Sequence, residues 1–167
     1  MCQYIYTGLN LMSVQREERK ANKIYDLLLD RIIKYHTLTN GTTYLSQLDE
    51  IGKHLLKDKF MGVYPSDKIP KLTKKQCYCI LNLDNSSESG SHWVSLALDL
   101  KGNSMFYDSF GRDYKEIIPN LEYSKNGKVI NTELDAEQGI LQQDCGSRAL
   151  AWLLLYEHWG AKVAKQI

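Results

Sequence analysis

The segment from Gln138 to Tyr156, QGILQQDCGSRALAWLLLY, limits the folds open to this chain more than any other. From Ser147 onward it holds strong helix formers and neither Gly nor Pro. Residues Ala149 to Leu155 are apolar on nearly every side of the cylinder, so the helix has to be central and covered all round. Cys145 and Gly146 stand at its start. A helix N-terminus has unpaired N–H groups and partial positive charge, which favour a thiolate over a thiol. Gly146 carries no side chain beside the sulfur, so another backbone can approach. Together these features describe a candidate cysteine nucleophile, with Gln138 and Asp144 just before it.

Elsewhere the patterns alternate between helix and strand. The spacing of Ile24, Leu27, Leu28, Arg31, Ile32 and Tyr35 predicts a helix from Ser13 to about Tyr35, with Arg16, Glu17, Glu18 and Lys20 on a solvated side. A second helix is expected from Thr43 or Ser46 to Lys57, with Ser46 and Asp49 as a capping box and His54 at its surface. FMGVYPSDKIP, Phe60 to Pro70, reads as a turn-rich connector. Strands are expected at Gln76–Leu83, His92–Asp99 and Ser104–Asp108, the last two joined by a hairpin at Lys101-Gly102-Asn103. A short helix from Asp113 to Ile118 should end at Pro119, and Asn126-Gly127 suggests a further hairpin between Tyr123 and Val129-Ile130. An antiparallel or mixed sheet packed on a central buried helix is the α+β pattern.

A length of 167 residues suits one domain. The net charge of +1 gives no general attraction to nucleic acid or membrane, and the longest apolar run is too short to span a bilayer. The first residues, MCQYIYTGLNLM, lack the pattern of a signal peptide, so the four cysteines, Cys2, Cys77, Cys79 and Cys145, are expected to be thiols in a reducing setting. Cys77 and Cys79 share one strand face and read as small buried hydrophobes, since no second ligand pair follows at a zinc spacing. No metal site and no cofactor are expected.

A thiol nucleophile needs a base, a group to orient the base, and donors for an oxyanion. His92 begins one strand and Asp108 ends the next. In an antiparallel hairpin these positions lie side by side, which places an imidazole beside a carboxylate. The Gln138 amide and the Cys145 N–H are candidate oxyanion donors, with Gln142 and Gln143 as less favourably spaced alternatives. His36 and His158 fit no motif.

GSHWVSLALD, MFYDSFG and QGILQQDCG, taken together, resemble the family of the adenovirus maturation protease (adenain) and the related ubiquitin-like-protein proteases. The order His, acid, Gln, Cys, the His-Trp pair and the seven-residue step from Gln138 to Cys145 carry the resemblance, and FMGVYPSD adds to it. It covers about Ser46 to Tyr156. The acid here is Asp, as in the ubiquitin-like branch, where adenain has Glu. Residues 1–40 match nothing in the family.

The resemblance implies a single cysteine protease domain over residues 1–167, with a helical N-terminal extension (1–40) and a catalytic core (41–167). It implies Cys145 as nucleophile, His92 as base and acid, Asp108 as orienting carboxylate and Gln138 in the oxyanion hole, with Trp93 and Gly146 shaping the substrate groove. The implied activity is that of a viral endopeptidase, of virophage or Polinton type, cutting capsid precursor proteins after Gly in the host cytoplasm, the virus factory and the virion. A monomer is expected. Nucleic acid is not strictly required, no membrane is involved, and an activating peptide is left open. A processing protease for ubiquitin-like proteins and a catalytically idle binding module on the same fold are the alternatives.

Overall fold

The computed structural model describes the backbone of residues 2–38, 41–71, 76–119, 121 and 127–167, and side chains within that set from residue 15 onward. Helix α1 spans Cys2–Tyr35 and α2 spans Leu45–Leu56. Strands β1 (Phe60–Pro65), β2 (Cys77–Asn82), β3 (Trp93–Leu98) and β4 (Ser104–Tyr107) follow, then the short helix α3 (Tyr114–Ile117) and strand β5 (Val129–Asn131). Helix α4 (Cys145–Trp159) and a final turn of helix, α5 (Ala161–Ala164), close the chain. Among the described residues no helix is long and apolar enough to cross a membrane.

The architecture is α+β, with a mixed five-stranded sheet in the order β1-β2-β3-β4-β5. β2, β3 and β4 are antiparallel, and β1 and β5 join their neighbours in parallel. Alternation along β3 sends Val94, Leu96 and Leu98 to one face and Ser95 and Ala97 to the other. The first face meets Ile118 and Leu121 in a smaller core that also holds Cys77 and Cys79. The small residues of the second face let α4 come close, and Ser95 Oγ donates to the Ala149 carbonyl at 2.9 Å. α1 and α2 cover the remainder of α4, so every residue from Gly146 to Tyr156 is buried. Trp152 lies fully inside, stacked on Tyr107 at 5.3 Å, with its indole N–H given to the Ala164 carbonyl.

Two local expectations need correction. Phe60–Pro65 is an edge strand, not a connector: it pairs with β2, and Pro65 sits at its last position, where a missing N–H costs little. The start of α2 is held by Gln47, whose Oε1 accepts from Tyr44 N at 3.0 Å, while Asp49 instead pairs with Lys53. Val129–Asn131 pairs in parallel with β4; the hairpin expected around Tyr123 and Asn126 lies outside the described residues. The hairpin turn at Gly102, with φ of 84°, and the helix after Asp113, whose side chain accepts from Lys115 N, lie where the sequence places them.

α2 meets β1 at Gly52, where an added Cβ would lie 2.4 Å from the Phe60 ring. Gly→Ala in a helix normally gains about 1 kcal/mol, but forcing this ring aside should cost about 1–3 kcal/mol. Gly52→Ala is expected to lower the thermal midpoint, and the loss should vanish in a Phe60→Ala background.

Candidate active site

Cys145 is the first residue of α4, so its N–H has no carbonyl partner one turn earlier. The burial that covers Gly146 to Tyr156 stops at this end, and Cys145 is half-buried. It opens onto a groove of about 890 Å³, whose lining includes Thr43, Trp93, Phe110, Gln138 and Gln142.

His92 precedes β3 and Asp108 follows β4, and the hairpin brings them together: His92 Nε2 donates to Asp108 Oδ1 at 2.6 Å. The Cys145 thiol is the second group that acts on the ring. With Nε2 committed to Asp108, Nδ1 is the nitrogen left for the sulfur. Thiol, imidazole and carboxylate thus form one chain, and both His92 and Asp108 are buried. Burial on its own would lower the proton affinity of His92. The Asp108 hydrogen bond, then the hydrogen bond and charge of Cys145, outweigh it and hold the imidazole above its ordinary value of 6.5. Burial likewise disfavours ionised Asp108, but the bonds from His92 and Arg112 keep the carboxyl below its ordinary 3.8.

The loop after Asp108, whose role the sequence reading missed, supplies much of this support. Arg112 Nε donates to Asp108 Oδ2 at 2.6 Å, and Phe110 N donates to Oδ1 at 3.2 Å. The Phe110 ring stacks on His92 at 4.7 Å, and the Arg112 guanidinium lies 5.2 Å from the Phe110 ring centroid. Gly111 makes the turn at φ of 66°, where its Cβ would strike the Asp135 backbone at 2.7 Å. The only sequence signal was an aromatic, a glycine and an arginine close behind the acid.

Gln138 is buried beside this loop. Ser109 Oγ donates to its Oε1 at 2.6 Å, while the Gln142 carbonyl, which can only accept, fixes the other end of the amide as the one that carries the hydrogens. One N–H of Nε2 goes to the Gln142 carbonyl at 2.6 Å. A primary amide has two such hydrogens, so the second remains for a ligand in the groove. Gln142 acts as a brace, since its Oε1 accepts from Gly139 N at 2.6 Å; Gln143 is exposed on the rim. Trp93 lines the groove. Gly146 does not: it is buried, and a Cβ there would lie 2.0 Å from Thr43 Oγ1 and 2.9 Å from Leu48. What comes close to Gly146 is therefore a pair of the protein's own side chains, not a substrate backbone. His36, His54 and His158 line a separate cavity between α1, α2 and α4. Among the described residues no group of three or more His, Cys, Asp or Glu comes together to hold a metal.

The arrangement can pass the thiol proton to His92, hold the resulting imidazolium against Asp108, and offer two N–H donors near the sulfur. No known family model matches the chain, and no curated protein matches it.

Removing the Asp108 charge leaves burial as the main influence on His92. In Asp108→Asn the imidazole is therefore expected to titrate at lower pH than in the native protein, read from ring NMR signals. The sign for stability follows. A raised folded-state value stabilises below the unfolded value of about 6.5, and that gain is lost as pH rises through the folded value. The native protein should lose stability across this range, whereas Asp108→Asn, with burial dominant, should gain it.

Proposed function

We propose that the protein is a cysteine endopeptidase of the adenain type, cutting capsid precursor proteins during virion maturation. The hydrogen-bonded pair His92–Asp108, sharing an open groove with Cys145 at the start of α4, is the observation that carries this reading. An extended polypeptide lies in the groove with its scissile carbonyl against Sγ. His92 Nδ1 takes the thiol proton and the thiolate attacks the carbonyl carbon. The oxyanion accepts from Cys145 N–H and from the second N–H of Gln138. As the intermediate collapses, His92 returns its proton to the departing amine, leaving a thioester. His92 then takes a proton from water, which attacks the thioester, and the returning proton restores the thiol. Asp108 stays ionised throughout and compensates the imidazolium.

Trp93 and the Phe110-backed imidazole flank the approach to the sulfur, which favours Gly over a branched residue just before the cut. The protein acts as a monomer, in the host cytoplasm or virus factory and in the virion. With a net charge of +1 it works without DNA; Lys74 and Lys75 of its densest basic group lie outside the described residues.

Cys145→Ala is expected to abolish cleavage without loss of fold, with iodoacetamide labelling Cys145 ahead of the buried Cys77 and Cys79. Gln138→Ala should reduce kcat by roughly 10²- to 10³-fold with less change in KM. Undiminished turnover by the alanine variant at 145 would end this reading.

The substrate class is tested in a paired assay. One arm is a short Gly-containing peptide from a capsid precursor, and the other is a panel of ubiquitin-like proteins with C-terminal reporters. Cleavage of the peptide is expected, with Gly→Val before the cut removing most of kcat/KM. Cleavage of the reporters alone would identify a processing protease for ubiquitin-like proteins instead.

A further inference from the structure

Three histidines that the active site does not use meet at one place. His36 follows α1, His54 stands in the last turn of α2 and His158 in the last turn of α4. All three line the cavity between those helices, which has a volume of about 610 Å³. It lies at the far end of α4 from Cys145, about 20 Å away at 1.5 Å per residue. Its floor is apolar: Ile32 and Leu154 are buried there, and Leu28 and Leu55 are half-buried. Arg31 and Lys34 add two cations to the wall, and no Asp or Glu lines it. Lys34 pairs at 2.6 Å with Asp30, which is not part of the wall. Arg31 forms no ion pair among the described residues. Glu50 lines an adjoining hollow that shares Tyr35, His36 and His54.

The chain as a whole has 21 Lys and Arg against 20 Asp and Glu. A cavity with two cations, three imidazoles and no carboxylate is therefore a local separation of charge. Burial, then the nearness of His54, hold the His36 imidazole below its ordinary 6.5, as expected where positive charge has no counter-ion. Cations at helix C-termini are favourable in their own right. That preference does not ask three helices to turn their basic groups onto one apolar floor. An occupant that satisfies both parts has an anionic head and a hydrocarbon body. The volume falls in the usual range of small-ligand sites, about 300–1,000 Å³. Ten described residues line the cavity, against roughly 20–30 a side in a protein–protein interface.

We propose that this cavity binds a fatty carboxylate, its tail on Leu28, Ile32, Leu55 and Leu154 and its head on Arg31 and the imidazole N–H groups. Binding here does not require the peptidase reading.

Calorimetric titration with laurate is the test. One laurate per chain is expected to bind and to raise the thermal midpoint. Dodecyltrimethylammonium, a similar tail under a cationic head, should bind about tenfold more weakly or less, and acetate, a head without a tail, should not bind. Arg31→Glu reverses an exposed charge outside the core and should weaken laurate about tenfold or more. The chain has four histidines, so ring NMR signals locate the ligand: those of His36, His54 and His158 should shift, and those of His92 should not. Equal binding of the two amphiphiles, native affinity in Arg31→Glu, or a shift of His92 in place of the other three would overturn the proposal. So would a failure of laurate to bind. If a helical peptide with one Leu face and one Glu face then shifted the same three histidines, the cavity would be a docking surface for a protein instead.

Discussion

The burial of α4 is the constraint on which the rest of the structure depends. A helix with apolar side chains on all sides cannot rest against a single layer, because each uncovered face would leave Leu, Ala or Trp in water. The sheet therefore lies on one side, through Ser95, Ala97 and Tyr107, and α1 and α2 on the others. That covering can be complete along the helix barrel but not at its first residue, where unpaired N–H groups need polar company. Cys145 occupies that place. The same demand that builds the core thus leaves a thiol at the open end of its central helix.

Around this end the fold gathers charges it must then satisfy. Asp108 is 3% exposed and Arg148 is 7% exposed, and neither is tolerable without partners. Asp108 is met by His92, Arg112 and the Phe110 N–H, and Arg148 by Asp144 and Gln142. Each set spans more than one element, so the hydrogen bonds that satisfy a buried charge also determine where loops sit. The loop of residues 109–112 and the loop of residues 138–144 are held in this way, and they carry the ring behind His92 and the amide of Gln138. The polar interior and the geometry of the site are consequently one system, in which stability and positioning are not separable by inspection of single contacts.

The sequence made some of this legible. The α4 helix, the alternation in β3 and the glycine hairpin between β3 and β4 depend on neighbours within a few residues, and they were readable. The His92–Asp108 contact was readable because a tight hairpin turns sequence spacing into spatial pairing. The β1 strand was not, because Gly62 and Pro65 carry turn signals and its pairing partner lies across a separate segment. Gly146 shows a subtler limit. Its lack of a side chain was visible, but the direction of the missing Cβ was not, and that direction is filled by the side chains of Thr43 and Leu48.

By itself the sequence determined the local elements, the buried character of the central helix, and the placing of a cysteine at its start. These follow from residue spacing and backbone preference, which act over a turn or a few strand positions. Only the tertiary structure decided which distant groups meet: Tyr25 with Tyr107, 82 residues apart, Ser109 with Gln138, and Ser147 with the Gly41 carbonyl. Such pairs have no periodicity to betray them. Each depends on how the sheet, α1 and α4 come together, and a polar residue in a loop looks the same in sequence whether water or a buried partner receives it.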